Sequence, residues 1–368
     1  MSGSSSDKKH IGFLAPTVYR YIQGQGYGGS ELQVLQLSRI LVRAGYKVTI
    51  LTNDYGQADE EFFENIHVVK APLRFLGGSN WYFLPDTMRF IKKVKKLKLD
   101  WCILKNPQAA LFQMALARFF CRNMKICKYI SSDLDCQRGK NLPYLLYRFG
   151  LKKSDKIIFQ TRTQQLSAAK NLHITGDILP NVFIPPTGKA DTPVKDTDVL
   201  WVGAFNDWKL PDRLLEIAGQ LPQYQFTVIS KPIDGAHRDL ENNLRRLPNV
   251  NFVGTVPFEE TQKYFNRAKL YLCTSAVEGF PNTFLQAWFA QIPVVSVSFP
   301  CDGILERDNS GKLSGSIEQT VKDIAELLEN ADLRRQMGEN GYQYLQKNHL
   351  PEQVLKSLKK ILYGKEIH

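Results

Sequence analysis

Two successive series of short aliphatic runs alternate with helix-period segments, separated by a stretch rich in proline, glycine and aspartate at 185–198. This alternation limits the fold more than any other feature. Strands joined through helices run parallel, because the helix carries the chain back to the edge where the strand began. In the first series the pattern predicts strands over 11–15, 47–52, 67–70, 101–105, 126–130 and 156–160. A helix is expected over 31–44, with Ser30 and Gln33 as a capping box and Gly45 as its stop. In the second series strands are expected over 199–203, 225–230, 250–254, 270–274 and 293–298. Helices are expected over 212–221, 259–267 and 282–290, and further helices begin after Ser316, near Ala331 and at Pro351.

The chain has 368 residues, enough for two domains of ordinary size. The expected division is a disordered polar tail over 1–10, an α/β domain over 11–184, a linker over 185–198, a second α/β domain over 199–350 and a closing helical segment over 351–368. Each half reads as a Rossmann-like, doubly wound sheet. Such sheets bind ligands at the carboxyl ends of their strands, so two facing halves would form one cleft. The formal net charge of +12 favours anionic partners such as phosphates or an acidic membrane surface. No apolar run reaches the eighteen or so residues of a membrane span. The polar start, MSGSSSDKKH, does not read as a secretory leader, and the six cysteines form no CxxC pair. Reduced thiols in a cytoplasmic protein are therefore expected.

Gly24-Gln25-Gly26-Tyr27-Gly28-Gly29 spells G-x-G-x-x-G, which raises an NAD-binding reading. That fingerprint needs its first glycine directly after the strand, whereas here residues 16–23 intervene. The informative part is Gly28-Gly29-Ser30-Glu31, two glycines opening a helix whose first amides can face an anion. Asp133-Leu134-Asp135 is a DxD, which in some sugar-transferring enzymes holds a divalent metal; a loop role without metal is the expected one. The most informative stretch runs from Ser275 to Trp288, SAVEGFPNTFLQAW. It reads as a strand end, a tight loop and a helix start. Its loop would aim the amides of Asn282, Thr283 and Phe284 at an anion, with the helix dipole behind them. A carboxylate, Glu278, lies beside that anion site, which suits a ligand carrying both hydroxyls and phosphates.

With these residues in place the sequence resembles the retaining glycosyltransferases of family 4, which have the GT-B fold, two Rossmann-like domains facing each other across a cleft. The family's E-x7-E motif is matched by Glu278, which by resemblance contacts donor-sugar hydroxyls, and by Gln286 in place of the second Glu, which contacts the ribose. Gly28-Gly29-Ser30-Glu31 is similar to the family's GG-x-E loop, Pro180-Asn181 to its PN, and Trp201-Val202-Gly203 with Trp208-Lys209 to its vGR…K segment. Asp302-Gly303 fits its acidic loop. The resemblance makes the first domain the acceptor domain and the second the donor domain, and implies that the helix from Pro351 returns to the first. It implies a metal-independent, retaining transfer of sugar from a nucleotide-diphosphate donor, acting as co-substrate, to a glycan or lipid-linked acceptor in polysaccharide or glycolipid synthesis. Lys209, Glu278 and Asp133 are the expected catalytic residues. Gly28, Gly29, Gly203, Thr255, Val256, Gly279, Phe280, Pro281, Asn282, Thr283 and Gln286 join Lys209 and Glu278 in donor binding. Two departures stand out. Ala204 replaces the Arg that pairs with the diphosphate, and no His occupies the first-domain loop at Ser131-Ser132-Asp133. They support the alternative of a non-catalytic homologue that binds a nucleotide sugar as a scaffold.

Between Arg89 and Lys98, six of ten residues are basic and none is acidic. One reading is a surface helix with solvated lysines. The other places Arg89, Lys92, Lys93, Lys95 and Lys96 on an anionic bilayer, making the protein peripheral on the cytoplasmic membrane face. Nucleic acid is not an expected partner, since no stacking aromatics interleave with the charge.

Overall fold

The computed structural model describes residues 8–24, 28–71, 83–105, 108–186, 194–231 and 238–364. Residues 1–7 of the expected tail and half of the expected linker, 187–193, lie outside them, as do Gln25, Gly26 and Tyr27 of the glycine loop. The chain forms two compact units. Residues up to Val182, joined by the segment from Pro351 onward, make the first; Phe183–Leu350 make the second.

The first unit runs β1 (His10–Leu14), α1 (Val18–Ile22), α2 (Gly29–Arg43), β2 (Lys47–Thr52), β3 (Glu60–Phe63), β4 (Ile66–Lys70), α3 (Phe83–Leu97), β5 (Trp101–Leu104), α4 (Gln108–Phe120), β6 (Lys125–Ile130), α5 (Leu142–Lys153), β7 (Lys156–Phe159), α6 (Arg162–Leu172) and β8 (Asp177–Ile178). The tail expected over 1–10 ends early, because His10 already pairs with Lys47 in the sheet. Strand order is β3-β4-β2-β1-β5-β6-β7-β8. All described pairings are parallel except β3 against β4. The pattern does not single out β3 because its sequence, EEFF, carries two acids and its residues are exposed or half-buried at the sheet edge. Along α3, α4 and α5, Phe90, Ile91, Val94, Met114, Tyr147 and Leu151 pack in one core with Leu14, Leu51 and Leu104 of the strands.

The second unit runs β9 (Thr197–Val202), α7 (Pro211–Gln220), β10 (Phe226–Ile229), α8 (Arg238–Arg246), β11 (Val250–Gly254), α9 (Phe258–Arg267), β12 (Ala268–Cys273), α10 (Asn282–Phe289), β13 (Val294–Ser296), α11 (Ile304–Arg307), β14 (Gly311–Leu313), α12 (Ile317–Glu329) and α13 (Ala331–Asn348). Its sheet is parallel in the order β11-β10-β9-β12-β13-β14. The expected linker stops short of 198, because Thr197 already pairs with Ala268. Ser316 caps α12 as expected, accepting from the Gln319 backbone amide at 3.2 Å, but the Gln319 side chain donates to Asp323 Oδ1 at 3.0 Å and does not close the other half of the box. Trp288 of α10 is fully buried, and α13 can lie against it only because residue 341 is glycine: a Cβ there would fall 2.2 Å from the indole. The closing helix, α14 (Pro351–Tyr363), belongs to the first unit. Its Tyr363 stacks on Tyr46 and meets the Trp101 ring edge-on, each at 6.4 Å.

Each sheet reverses its winding at one place, between β1 and β5 in the first unit and between β9 and β12 in the second. At such a switch the loops leaving two adjacent strands diverge to opposite faces and open a crevice.

Candidate active site

At the second switch point the two diverging loops are residues 203–210, after β9, and 274–281, after β12. The first is tied to the second by ordinary hydrogen bonds. The Asn206 side-chain oxygen accepts from the amides of Trp208 (3.2 Å) and Lys209 (3.0 Å), closing a tight turn. The Ala276 amide donates to Trp208 O at 3.0 Å. Thr274 Oγ1 donates to Lys209 O at 2.5 Å and accepts from the buried Trp201 indole at 3.0 Å. Leu210 then takes the left-handed conformation (φ 46°) before Pro211 starts α7, a conformation that costs a leucine about 1 kcal/mol. The result is a fixed direction for Lys209. Its Nζ donates to Glu278 Oε1, and both side chains are about one-fifth exposed. The sequence named both residues but not their contact, nor the supports Asn206, Thr274 and Trp201, which are distant in sequence and carry no charge signal.

α10 begins at Asn282, and its N-cap residue, Pro281, offers the first turn no side-chain acceptor. The amino end of a helix is electropositive. The Phe284 amide is an exception to the expected anion set, since it donates to Pro281 O at 3.2 Å. Asn282, Thr283 and Gly279 are half-buried in the loop. Three other residues expected at the ligand turn inward. Phe280 is buried and packs on His349 (4.9 Å) and Trp288 (6.3 Å), because an aromatic beside a glycine anchors the loop best in the core. Pro281 is buried too. Gln286 is 2% exposed; its side-chain amide donates to Thr261 Oγ1 at 2.7 Å, and its backbone carbonyl accepts from Gln262 Nε2 at 3.1 Å, joining α9 to α10. Gly203 has a local reason to be glycine, since a Cβ would come within 3.0 Å of the Trp201 ring. Thr255 is exposed and Val256 half-buried beyond β11. Asp302 and Gly303 take left-handed backbone conformations (φ 59° and 71°) after β13. Ala204 leaves no cation at its own position. Arg213 of α7 brings one to this edge of the sheet, donating to Ser298 Oγ at 2.8 Å, while that hydroxyl donates to Ser275 O at 3.3 Å.

In the first unit the glycine loop caps α2 differently from the expected box. Gly28, not Ser30, is the N-cap. The Glu31 carboxylate folds back over it and accepts from the Thr17 hydroxyl at 2.5 Å. A Cβ at Gly28 would fall 1.8 Å from that carboxylate, so Glu31 itself requires the glycine there; Gly29 follows as the first helical residue. Asp133 opens a short 3-10 turn (Asp133–Cys136) after β6, and the Leu134 amide donates to Ser132 Oγ at 3.3 Å. Asp135 turns inside to Lys128, fully buried on β6, at 3.2 Å. The two carboxylates of the DxD thus serve different surroundings. Beside them Lys105, also buried, reaches Asn181 Oδ1 at 3.4 Å and lies 4.3 Å from the centre of the Tyr129 ring. Gln160 donates to the same Asn181 oxygen. Gln33 holds both the N–H (2.8 Å) and the C=O (2.9 Å) of Val182. The Pro180-Asn181 segment is therefore held by buried polar side chains.

Burial lowers the Lys105 pKa from 10.5 to about 7, with Lys128 adding to the effect and Glu31 opposing it. The unfolded chain keeps that proton up to the usual lysine range, whereas the folded chain releases it above about pH 7. Stability therefore rises with pH between these two values. Lys105→Met is expected to remove that rise and to be more stable than the parent at pH 7 and below by up to about a few kcal/mol. Urea unfolding at pH 7 and pH 9 checks it; the same pH dependence in both proteins would refute it.

On α3, Arg89 pairs with Asp86 (3.3 Å), Lys96 with Glu60 (3.0 Å), and Lys93 donates to Lys70 O. Lys92 and Lys95 are exposed. Three of the five cations expected on a bilayer thus have protein acceptors. No described helix is long and apolar enough to cross a membrane. All six cysteines are unpaired, and all but Cys121 are buried.

Two family models cover most of the chain. Residues 27–181 match Glycosyltransferase Family 4, and residues 188–344 match Glycosyl transferases group 1. The chain belongs to the family 4 glycosyltransferases. Among curated relatives, the O-antigen biosynthesis glycosyltransferase WbnH of Escherichia coli is 22% identical over 303 residues, 78% of this chain and 80% of WbnH. A Xenopus tropicalis glycosyltransferase 1 domain-containing protein is 24% identical over 148 residues, 39% of this chain and 40% of that protein. Among solved structures, sucrose-phosphate synthase from Thermosynechococcus elongatus superposes with a TM-score of 0.77 at 17% identity, over 96% of this chain and 97% of that one. Anabaena HepE in complex with UDP and glucose gives 0.76 at 16% identity, over 96% and 99%. The fold of this glycosyltransferase is thus the GT-B fold, with a parallel sheet in each domain, the first carrying one antiparallel edge strand.

Proposed function

We propose that this glycosyltransferase moves a sugar from a nucleotide-diphosphate donor to a glycan or lipid-linked acceptor in cell-surface polysaccharide or glycolipid synthesis, with retention of anomeric configuration and without a metal ion. The observation that carries the reading is the Lys209–Glu278 pair before the uncapped start of α10. Cleaving the bond from the anomeric carbon to phosphate leaves negative charge on the diphosphate and positive charge on the ring. Fixed donors already in place stabilise that leaving group without reorganisation. Lys209 and the Asn282 and Thr283 end of α10 fill this role, and Lys209 exchanges its carboxylate partner for the phosphate. Glu278, released from Lys209, accepts from sugar hydroxyls and fixes the ring. The leaving phosphate oxygen can take the acceptor's proton on the same face, so retention needs no strong protein base. Asp133, half-buried at the carboxyl edge of the first unit, is the proposed acceptor-side carboxylate. That Asp135 is turned to Lys128 supports a metal-free reading of the DxD. The name of WbnH supports a surface-glycan product, and the HepE complex makes UDP-glucose the first donor to try.

The test is turnover across UDP-, GDP-, ADP- and dTDP-sugars with extracted lipid acceptors, with products read by mass spectrometry in the presence of a chelator. Transfer with retained configuration, unaffected by chelation, supports the proposal. Binding without turnover across the panel would favour the scaffold reading that Ala204 suggests.

A further inference from the structure

Four of the five tryptophans lie among the described residues, and three of these belong to the core. Trp101, Trp201 and Trp288 are 2%, 1% and 0% exposed. Each has partners. Trp101 meets Tyr363 edge-on at 6.4 Å, the Trp201 indole donates to Thr274 Oγ1 at 3.0 Å, and Trp288 packs on Tyr344 at 5.3 Å. Trp208 is the exception. It is 57% exposed, and among the described residues its ring meets no aromatic or cation and its indole N–H has no acceptor.

A single exposed apolar residue does not by itself mark a site. The place of this one does. Trp208 directly precedes Lys209 in the loop that leaves β9 at the switch point. Its main chain is fixed on both sides: the amide donates to Asn206 Oδ1 at 3.2 Å, and the carbonyl accepts from the Ala276 amide at 3.0 Å. The indole is therefore carried on an ordered backbone, and a contact made by it has only its side-chain torsions left to immobilise. The Ala276 bond also joins Trp208 to the loop after β12, where Val277, 42% exposed, directly precedes Glu278. Each member of the Lys209–Glu278 pair thus has an exposed apolar residue immediately before it in the chain. The charged side chains are about one-fifth exposed, so the apolar residues stand further out in the site than the pair does.

We propose that Trp208 binds the acceptor, its indole stacking on the C–H face of a sugar ring of a glycan. The inference rests on the transfer reading above and narrows it, since it requires an acceptor that brings a sugar ring to this loop. A sugar ring carries hydroxyls at its rim and polarised C–H bonds on its faces. The rim suits charged groups and amides. The face suits an indole, whose electron-rich surface attracts partial positive charge and sheds water on contact. The donor ring is held at its rim by Glu278, deeper in the site. The ring that meets the outer residue is the one arriving from solvent, which is the acceptor's. A hydrocarbon tail would gain equally from any apolar side chain, whereas a sugar face gains most from a flat one.

The experiment is steady-state transfer from the best donor of the panel to the extracted lipid acceptors, for the parent, Trp208→Ala, Trp208→Leu and Trp208→Phe. Trp208→Ala should raise KM for the acceptor about tenfold and move KM for the donor by less than about twofold. Trp208→Phe should recover most of the loss because it keeps a flat ring, and Trp208→Leu should not. Thermal midpoints should match the parent, because the altered side chain is already in water. A fluorescence titration reads the same contact without turnover. Glycan released from the extract by mild acid should shift the parent's emission to shorter wavelength as water leaves Trp208, and the shift should be absent in Trp208→Phe. A parent that turns over no nucleotide sugar yet gives this shift would still support the stacking, and the failure would lie with the transfer reading alone. An unchanged acceptor KM in Trp208→Ala overturns the proposal. So does equal recovery by leucine and phenylalanine, a donor KM that rises as much as the acceptor's, or a glycan that leaves the emission where it was.

Discussion

Lys209→Met is expected to lower kcat/KM for sugar transfer by about 10²- to 10³-fold, or about 3–4 kcal/mol of transition-state stabilisation. The lysine is the cation directed at the donor site by a pinned loop, and Ala204 leaves no guanidinium at the family's other position. Water cannot substitute for it cheaply, since a diffusing solvent dipole must be reorganised as the phosphate charge develops. Glu278→Gln should fall by a similar order, because an amide binds sugar hydroxyls without the charge that polarises them. The double variant should be little worse than Lys209→Met, since the two groups act on one donor and their losses do not add. Folding should hardly notice. Each side chain of the pair is about one-fifth exposed, and such pairs are worth up to about 1 kcal/mol. Steady-state kinetics with the best donor, beside a urea titration, separate the two effects. Full turnover by Lys209→Met would end the assignment of that residue as the phosphate cation.

Asp135→Ala is expected to destabilise the first unit by about 3–5 kcal/mol, because it leaves Lys128, which has no exposed surface, as a buried charge without its carboxylate. The chain could lose most of its folded population at 37 °C. Lys128→Met/Asp135→Leu removes both charges together and should recover most of the loss, since apolar pairs of similar volume replace buried ion pairs at little or no cost. That rescue distinguishes two readings of the DxD. If Asp135 held a metal for the donor, the double variant would be stable but inactive with every donor. If Asp135 is structural, the double variant keeps transfer close to that of the parent.

Most of the strands and the loop that precedes α10 could be read from the sequence, because parallel α/β units impose an alternation that survives without any contact information. Glu278 could be read as a carboxylate in a glycine- and proline-bounded loop at a strand end, whereas Lys209 was legible only through the family resemblance of its segment. The errors share a cause. Phe280 and Gln286 lie in the same informative stretch, yet they face the core and α9 respectively, and spacing along a loop does not tell which side chains turn inward. Gly28 was read as room for a ligand, but it is room for Glu31. The cations of α3 looked like one basic face, but Asp86, one turn before Arg89 on the same helix, and Glu60 and the carbonyl of Lys70 from outside it are the acceptors of three of them.

What the sequence determined by itself is the set of parallel sheets and the loops that leave their strands, since hydrophobic period and turn residues act over a few neighbours. Only the tertiary structure decided that Lys209 meets Glu278 across 69 residues, that Asp135 belongs to Lys128, and that Trp208 stays in water while the other described tryptophans are buried. The reason is that such contacts depend on which strands lie side by side and on the rotation of each helix, quantities set by packing the whole domain and not by any local run of residues.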